Sequence, residues 1–110
     1  MSALLKNVAE FAERPARLEG IKGAFSVRVF GDDLAPLYCD GDLVYCHPGE
    51  VPRPGTGAVV RLKAGGAYVG LLASLTDAAV KITNAQGKSP MTIQLDQVEV
   101  VGREVGVLRR

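Results

Sequence analysis

From residue 21 onward the chain repeats one pattern, a short run of alternating apolar residues followed by a turn rich in glycine or proline. The runs recur about every ten residues, which is the spacing of short strands joined by tight turns. They occupy residues 25–30, 42–47, 57–63, 67–72, 79–83, 91–95 and 97–108. This series leaves no room for the helices of βαβ units. It predicts a mainly β fold, a barrel or sandwich of short, mostly antiparallel strands.

Residues 2–14 form the one segment with a helical period. Its apolar residues fall on a single stripe, opposite the charged ones: Leu4, Leu5, Val8, Phe11 and Ala12. Ser2 is a suitable N-cap, and Pro15 ends the helix. We therefore expect an N-terminal helix and linker over residues 1–20, ahead of a β domain over residues 21–110. The helix either docks on that domain or reaches a partner.

Charge and cysteine content exclude several kinds of function. The 110-residue chain has 13 Lys and Arg against 12 Asp and Glu, a net charge of +1. This charge is too small for electrostatic binding to a phosphate backbone. No run is long and apolar enough to span a bilayer, and the N-terminus lacks a secretory signal. We therefore expect a cytoplasmic protein without membrane contact. Cys39, Cys46 and His47 fall short of the four ligands of a closed zinc site, so we expect reduced thiols, no metal and no cofactor.

The most specific signal is the segment FSVRVFGDDLAPLYCDGDLVYCHPG, residues 25–49. It resembles the start of the peptidase domain of LexA and phage repressors, which is related to bacterial signal peptidases. The positions that carry this likeness, with a leucine at the family's methionine position, are the candidate groove or turn residues: Gly31, Asp32, Leu34, Pro36, Gly41 and Asp42. The likeness continues through residues 53–62, 67–72 and 98–108. It implies the β fold of that family for most of residues 21–110.

The resemblance also implies a serine nucleophile directly after Gly31-Asp32 and a lysine general base within residues 67–72. A lysine accepts a proton only when burial lowers its pKa. In this sequence the serine position holds Asp33 and the lysine position holds Gly70, so both halves of the dyad are replaced. We therefore expect no catalytic residue, and a pseudo-peptidase in place of an enzyme. The alternative, a self-cleaving enzyme with another nucleophile, rests on Ser26, Ser74 or Ser89.

The family's domain also dimerises its repressor, while a separate helix-turn-helix domain binds DNA. About 20 residues precede the β region, too few for the three helices of such a domain, so we expect DNA contact only through a separate domain that this chain does not contain. We expect a homodimer that serves as the dimerisation and regulatory module of a transcriptional regulator. The alternative is a sensor module whose vacated groove, acidic at Asp33 and open at Gly70, binds a peptide or small ligand without cutting it.

The last run, residues 97–108, is apolar on both faces, and its phase shifts near Gly102. Such a shift indicates a bulge, or a strand that another chain covers on one side. An open edge on this strand would invite aggregation, and pairing of two copies across a two-fold axis would cover it. The expected interface residues are Val98, Val100, Val101, Arg103, Val105 and Val107, with Arg103 and Glu104 as reciprocal ion partners. The alternative is that these valines are buried in the domain's own core.

Overall fold

A computed structural model describes residues 8–12 and 23–109, and the regular structure in these ranges is almost entirely β. The strands are β1 (Val8–Ala12), β2 (Phe25–Val29), β3 (Leu43–His47), β4 (Gly57–Leu62), β5 (Ala67–Leu75), β6 (Ala79–Thr83), β7 (Met91–Gln94) and β8 (Val98–Leu108). A 3-10 turn, Leu95–Gln97, joins β7 to β8. The strands form one curled sheet in which every pairing is antiparallel. The prediction of a mainly β fold with antiparallel strands is confirmed.

The predicted N-terminal helix is wrong where the structure describes it. Residues 8–12 form β1, which pairs with β2 from Val8 opposite Val29 to Ala12 opposite Ser26. The other residues of the predicted helix lie outside the described ranges. An isolated helix of about 13 residues is marginal in water, whereas the edge of β2 offers a row of backbone donors and acceptors. Pairing with that edge overrides the local helical period.

The longest strand, β8, lies in the middle of the sheet, whose order is β1-β2-β3-β8-β4-β5-β6-β7. Its C-terminal half pairs with β3 and its N-terminal half with β4. Only Arg103 is paired on both sides, so among the described residues each half of β8 pairs along one edge and not along the other. The last strand of the chain is thus inserted between earlier ones, and the pairing of its remaining edge with a second copy stays a prediction.

Two irregularities in β8 produce the phase shift seen in the sequence. Val105 is the extra residue opposite the Tyr45–Cys46 step of β3. Glu99 is the extra residue opposite the Arg61–Leu62 step of β4. Gly102 itself is regularly paired, so the bulges lie on either side of it. Each bulge turns the following side chains to the other face of the strand.

The curled sheet buries apolar side chains on both faces. A first core cluster lies beneath the loop after β2: Phe25, Val27, Val29, Leu34, Tyr38, Val44, Cys46, Val59, Ala67 and Val69. A second core cluster lies between β4, β5, β6 and β7: Ala58, Val60, Leu72, Val80, Ile82, Met91 and Ile93. Strict alternation along β4 sends Val59 to the first cluster and its two neighbours to the second. The pattern of short apolar runs thus fills two small cores instead of one.

The valines of β8 contribute to these cores from both faces. Val100 and Val107 pack against the first cluster, and Val98 and Val101 against the second. Val105 packs against a small separate group of buried residues, Ala24 and Tyr45. All five valines are half-buried within one copy of the chain. Their role in an interface between copies stays a prediction.

Candidate functional site

The loop between β2 and β3, residues 31–42, contains all six candidate groove or turn residues; we call it the signature loop. Its two ends are tied together by backbone hydrogen bonds. The Val29 amide donates to the Asp42 carbonyl at 2.9 Å, and the Gly41 amide donates to the Val29 carbonyl at 2.7 Å. The carboxylate of Asp40 accepts a hydrogen bond from the Gly31 amide at 2.7 Å. Asp40 therefore helps to close the loop.

Within the signature loop the chain makes a compact turn that buries two side chains. The Ala35 amide donates to the Asp32 carbonyl at 3.0 Å, and the Tyr38 amide donates to the Leu34 carbonyl at 2.9 Å. The Ala35–Pro36 peptide bond is cis. Leu34 and Tyr38, one helical turn apart, are both only 1% exposed and belong to the first core cluster. Leu34 thus anchors the loop, whereas Asp32 and Pro36 lie on its exposed side.

Asp42 is the buried carboxylate of this region, with 2% of its surface exposed. Its Oδ2 accepts hydrogen bonds from the Cys39 amide and from Nη1 of Arg109, both at 2.9 Å. The same Arg109 nitrogen donates to the Leu37 carbonyl at 2.8 Å. Arg109 therefore fixes the signature loop through an ion pair with the buried carboxylate of Asp42. Nothing in the local pattern around Arg109 signals this contact, because its partners lie far away in the sequence.

A second long-range contact joins the loop to β8. The Tyr38 hydroxyl donates to Oε1 of Glu104 at 3.1 Å. Burial, together with the neighbouring Glu104 charge, raises the pKa of Tyr38 well above its ordinary value, so the phenol stays protonated. Gly57 lies beneath this pair, and a Cβ there would overlap the Tyr38 hydroxyl. An open depression of about 430 Å³ adjoins it, lined by Arg53, Thr56, Gly57, Arg103, Glu104 and Val105.

Asp33 and Gly70, the positions at which the resemblance implies a serine and a lysine, have different surroundings. Asp33 is half-buried in the turn of the signature loop. Gly70 is buried in β5 opposite Ala58, whose side chain belongs to the second core cluster. A Cβ at Gly70 would lie 2.6 Å from the Thr83 carbonyl oxygen and 3.2 Å from Cβ of Ile82. The space expected beside Gly70 is therefore filled by β6, and the open notch of the sensor hypothesis is absent at this position.

The alternative nucleophiles are spread over separate parts of the fold. Ser26 is fully buried in β2, whereas Ser89 is exposed in the turn before β7. Ser74, at the far end of β5, pairs with Lys81 on β6. A lysine acting as general base requires burial, and both of these side chains are exposed. This pair therefore lacks the environment that a serine–lysine dyad needs.

The cysteines and the histidine do not converge either. Cys39 and Cys46 are free thiols, the first exposed and the second buried, and burial raises the pKa of Cys46 to about 12. His47 Nδ1 accepts a hydrogen bond from the Gly49 amide at 3.1 Å. Over residues 8–12 and 23–109 no group of three or more His, Cys, Asp or Glu is arranged to hold a metal ion. The same residues include no helix long and apolar enough to cross a membrane.

Comparison with known proteins identifies the class to which this fold and loop belong. The family model described as Peptidase S24-like matches residues 6–105, and the chain therefore belongs to that family. A shorter similarity connects it to "Repressor protein C" of Rhizobium phage 16-3, at 29% identity over 56 residues. The match covers 51% of this chain and 21% of the repressor, so the chain spans only a part of that protein's length. The resemblance to the C-terminal domain of LexA and phage repressors is confirmed.

Proposed function

We propose that the chain is a non-cleaving domain of a LexA- or phage-repressor-type transcriptional regulator, and that it acts as a homodimerising, regulatory module. The observation that carries the proposal is the packing at Gly70. The family's lysine position lacks a side chain, and the adjacent space is filled by Ile82 and Thr83 of β6. Family membership over residues 6–105 supports a regulatory role. A cytoplasmic location and DNA contact through a separate domain are parts of the same proposal.

The chemistry of the loop supports the loss of activity. A serine nucleophile needs an adjacent base that accepts its proton. Position 33 carries a carboxylate, a poor nucleophile toward a peptide, and position 70 carries no base. Meanwhile the loop keeps its anchors, because Leu34 and Tyr38 remain in the core and Asp42 is held by Arg109. The scaffold is thus intact where it supports the fold and altered where cleavage requires reactive groups.

The test of inactivity is a mass measurement. The chain is incubated for days between neutral and alkaline pH, alone and with a linker-type peptide containing an Ala-Gly bond. We expect both masses to remain unchanged. An Asp33→Ser variant should be equally inactive, because no base accompanies the new hydroxyl. A time-dependent cleavage product that disappears in Ser26→Ala, Ser74→Ala or Ser89→Ala would contradict the proposal and identify the nucleophile.

The test of dimerisation is light scattering over a wide concentration range. We expect a mass near twice 11.6 kDa. Val105 is the residue to change, because it is half-buried at a bulge of β8 beside the depression lined by Arg103 and Glu104. Val105→Arg should give a folded monomer, whereas Thr92→Arg, on the exposed face of β7, should remain a dimer. A wild-type monomer at every concentration, or a folded Val105→Arg dimer, would contradict this part of the proposal.

A further inference from the structure

The strand at the far end of the sheet has an unpaired edge. β7, Met91–Gln94, pairs with β6 on one side, and no strand in the described ranges pairs with its other side. Exposed edges are usually guarded by charged side chains or by proline. Here the four residues are Met, Thr, Ile and Gln, with Pro90 only in front of the first. The edge is short, but no charge on β7 itself protects it.

The hydrogen-bond register shows which backbone groups face outward. The Leu95 amide donates to the Ala78 carbonyl at 2.9 Å, one step beyond the pairing of β6 with β7. Hydrogen-bonded pairs alternate along an antiparallel ladder, so Met91 and Ile93 bond to β6. The amide and carbonyl groups of Thr92 and Gln94 therefore point away from β6. The free edge presents these two donors and two acceptors to an added strand.

An apolar slot opens beside this edge. It has a volume of about 190 Å³ and is lined by Leu62, Tyr68, Met91, Thr92, Ile93, Gln94 and Gln97. Among the described strands no pairing closes the sheet, and the slot gives access to the second core cluster between β7 and the end of the β4–β5 hairpin. A neighbouring depression of about 480 Å³ shares Leu62 and Gln97 with the slot. Backbone donors and an apolar pocket thus lie side by side, the combination used in recognition by strand addition.

We propose that this surface, the outer edge of β7 with its apolar slot, binds an extended peptide from another protein as an additional strand. An apolar side chain of that peptide enters the slot, and the next side chain along faces the opposite side of the sheet. A second copy of β7 does not fit this role. Its apolar side chains, Met91 and Ile93, are already buried in its own core at 9% and 6% exposure, and Thr92 and Gln94 have nothing apolar to offer.

The surrounding charges favour acidic residues in the peptide. Lys81 lies opposite Thr92 on the exposed face of β6, and Lys88 lies in the turn that leads into β7. Neither lysine forms an ion pair with another described residue. Lys63 lines the neighbouring depression together with Asp96, so the excess positive charge lies with Lys81 and Lys88. An alternating apolar and acidic strand therefore matches the site in hydrogen bonding, apolarity and charge.

The test uses a capped peptide, acetyl-Glu-Val-Glu-Leu-Glu-Val-amide, titrated into the whole chain and followed by amide NMR shifts. We expect the largest shifts in β7 and around Tyr68. Thr92→Pro removes an outward-facing N–H without touching the bonds to β6, and proline is tolerated on such an edge. It should weaken binding about tenfold or more, because the peptide carbonyl loses its donor. Thr92→Ala, which keeps the N–H, should bind like the wild type.

A second measurement leaves the protein unchanged, in case the proline variant does not fold. Two versions of the peptide carry N-methyl groups on alternate residues, one on the Glu set and one on the apolar set. Only one set points its N–H groups at β7, so one version should lose binding and the other retain it. Binding that survives both modifications, or in Thr92→Pro, overturns the proposal. So do shifts confined to the signature loop, or self-association of the chain that Thr92→Pro abolishes. The proposed binding surface includes none of Asp33, Gly70 and the expected interface residues of β8. The peptide can therefore fail to bind while the proposed function holds, and the proposed function can fail while the peptide binds.

Discussion

At position 70, the absence of a side chain has a structural as well as a chemical consequence. Gly70→Ala places a Cβ 2.6 Å from the Thr83 carbonyl oxygen, a backbone atom that moves only if β6 moves. Overpacking of this kind costs about 1–3 kcal/mol, and we expect the free energy of unfolding to fall by that amount in a denaturant titration. Gly70→Lys should lower the free energy of unfolding further, because the longer lysine side chain has no cavity to enter.

Gly49→Ala is the matched control for this substitution. Gly49 is exposed, and the close neighbours of a Cβ there are atoms of the His47 ring, a side chain that can rotate away. Its effect on the free energy of unfolding should stay within about 0.5 kcal/mol. If Gly70→Ala is as mild as Gly49→Ala, the contact between β5 and β6 is looser than the structure indicates. Packing would then no longer exclude a lysine side chain at this position.

Two buried acids make the fold sensitive to alkaline pH. Burial raises the pKa of Cys46 from its ordinary 9.0 to about 12, and burial with the Glu104 charge raises that of Tyr38 above its ordinary 10.0. The folded chain therefore keeps protons that the unfolded chain releases. The stabilisation is complete below about pH 9 and is lost as pH rises, by about 1.4 kcal/mol per pH unit for each group. Tyr38 contributes to this loss of stability only above pH 10.

The prediction is checked by denaturant titrations from pH 8 to pH 11 under reducing conditions. Cys46→Ala should flatten the curve from about pH 9 upward, and Tyr38→Phe only from about pH 10 upward. Each variant also shifts the baseline stability, so the readout is the slope and not the absolute free energy. A wild-type curve that is flat across this range would show that the two groups titrate alike in the folded and unfolded chain.

At the scale of elements, the strands after residue 21 follow from local pattern, because alternation and turn residues act over a few positions. The segment at residues 8–12 does not, since its strand exists only by pairing with β2. A helical stripe is a weak local preference that an available sheet edge outweighs. The local sequence of β8 likewise does not predict its central place in the sheet. Its two-faced apolarity corresponds to valines that pack against both core clusters of the same chain.

The candidate site likewise combines local features that the sequence predicts with long-range contacts that it does not. The turn chemistry of the signature loop is local, and the sequence pattern locates Gly31, Asp32, Pro36, Gly41 and Asp42 in it. The contacts that fix the loop are long-range: Tyr38 with Glu104, and Asp42 with Arg109. A single sequence offers no distance information that pairs such residues. The filled space at Gly70 follows from how closely β6 approaches β5, which no spacing rule predicts.

For the molecule as a whole, β8 connects two halves that otherwise share no strand pairing. Strands β1 to β3 lie on one side of it and β4 to β7 on the other. The Tyr38–Glu104 hydrogen bond and the Arg109–Asp42 ion pair both run from β8, or the residue just after it, to the signature loop. The signature loop is therefore held by the same strand that joins the halves. The stability of the loop and that of the whole sheet are coupled.

Gly102→Ala tests this coupling at the centre of β8. A Cβ at Gly102 would overlap the Cys46 sulfur and lie 3.0 Å from the His47 carbonyl oxygen, so the substitution strains the contact between β8 and β3. Because β8 also pairs with β4, we expect the destabilisation, about 1–3 kcal/mol, to lower native-state amide protection equally in β2 and in β6. Thr92→Ala, on the outer strand, should lower protection in β7 alone and by less. Loss of protection confined to β2 and β3 in Gly102→Ala would mean that the two halves open independently, and that β8 joins them without making them one cooperative unit.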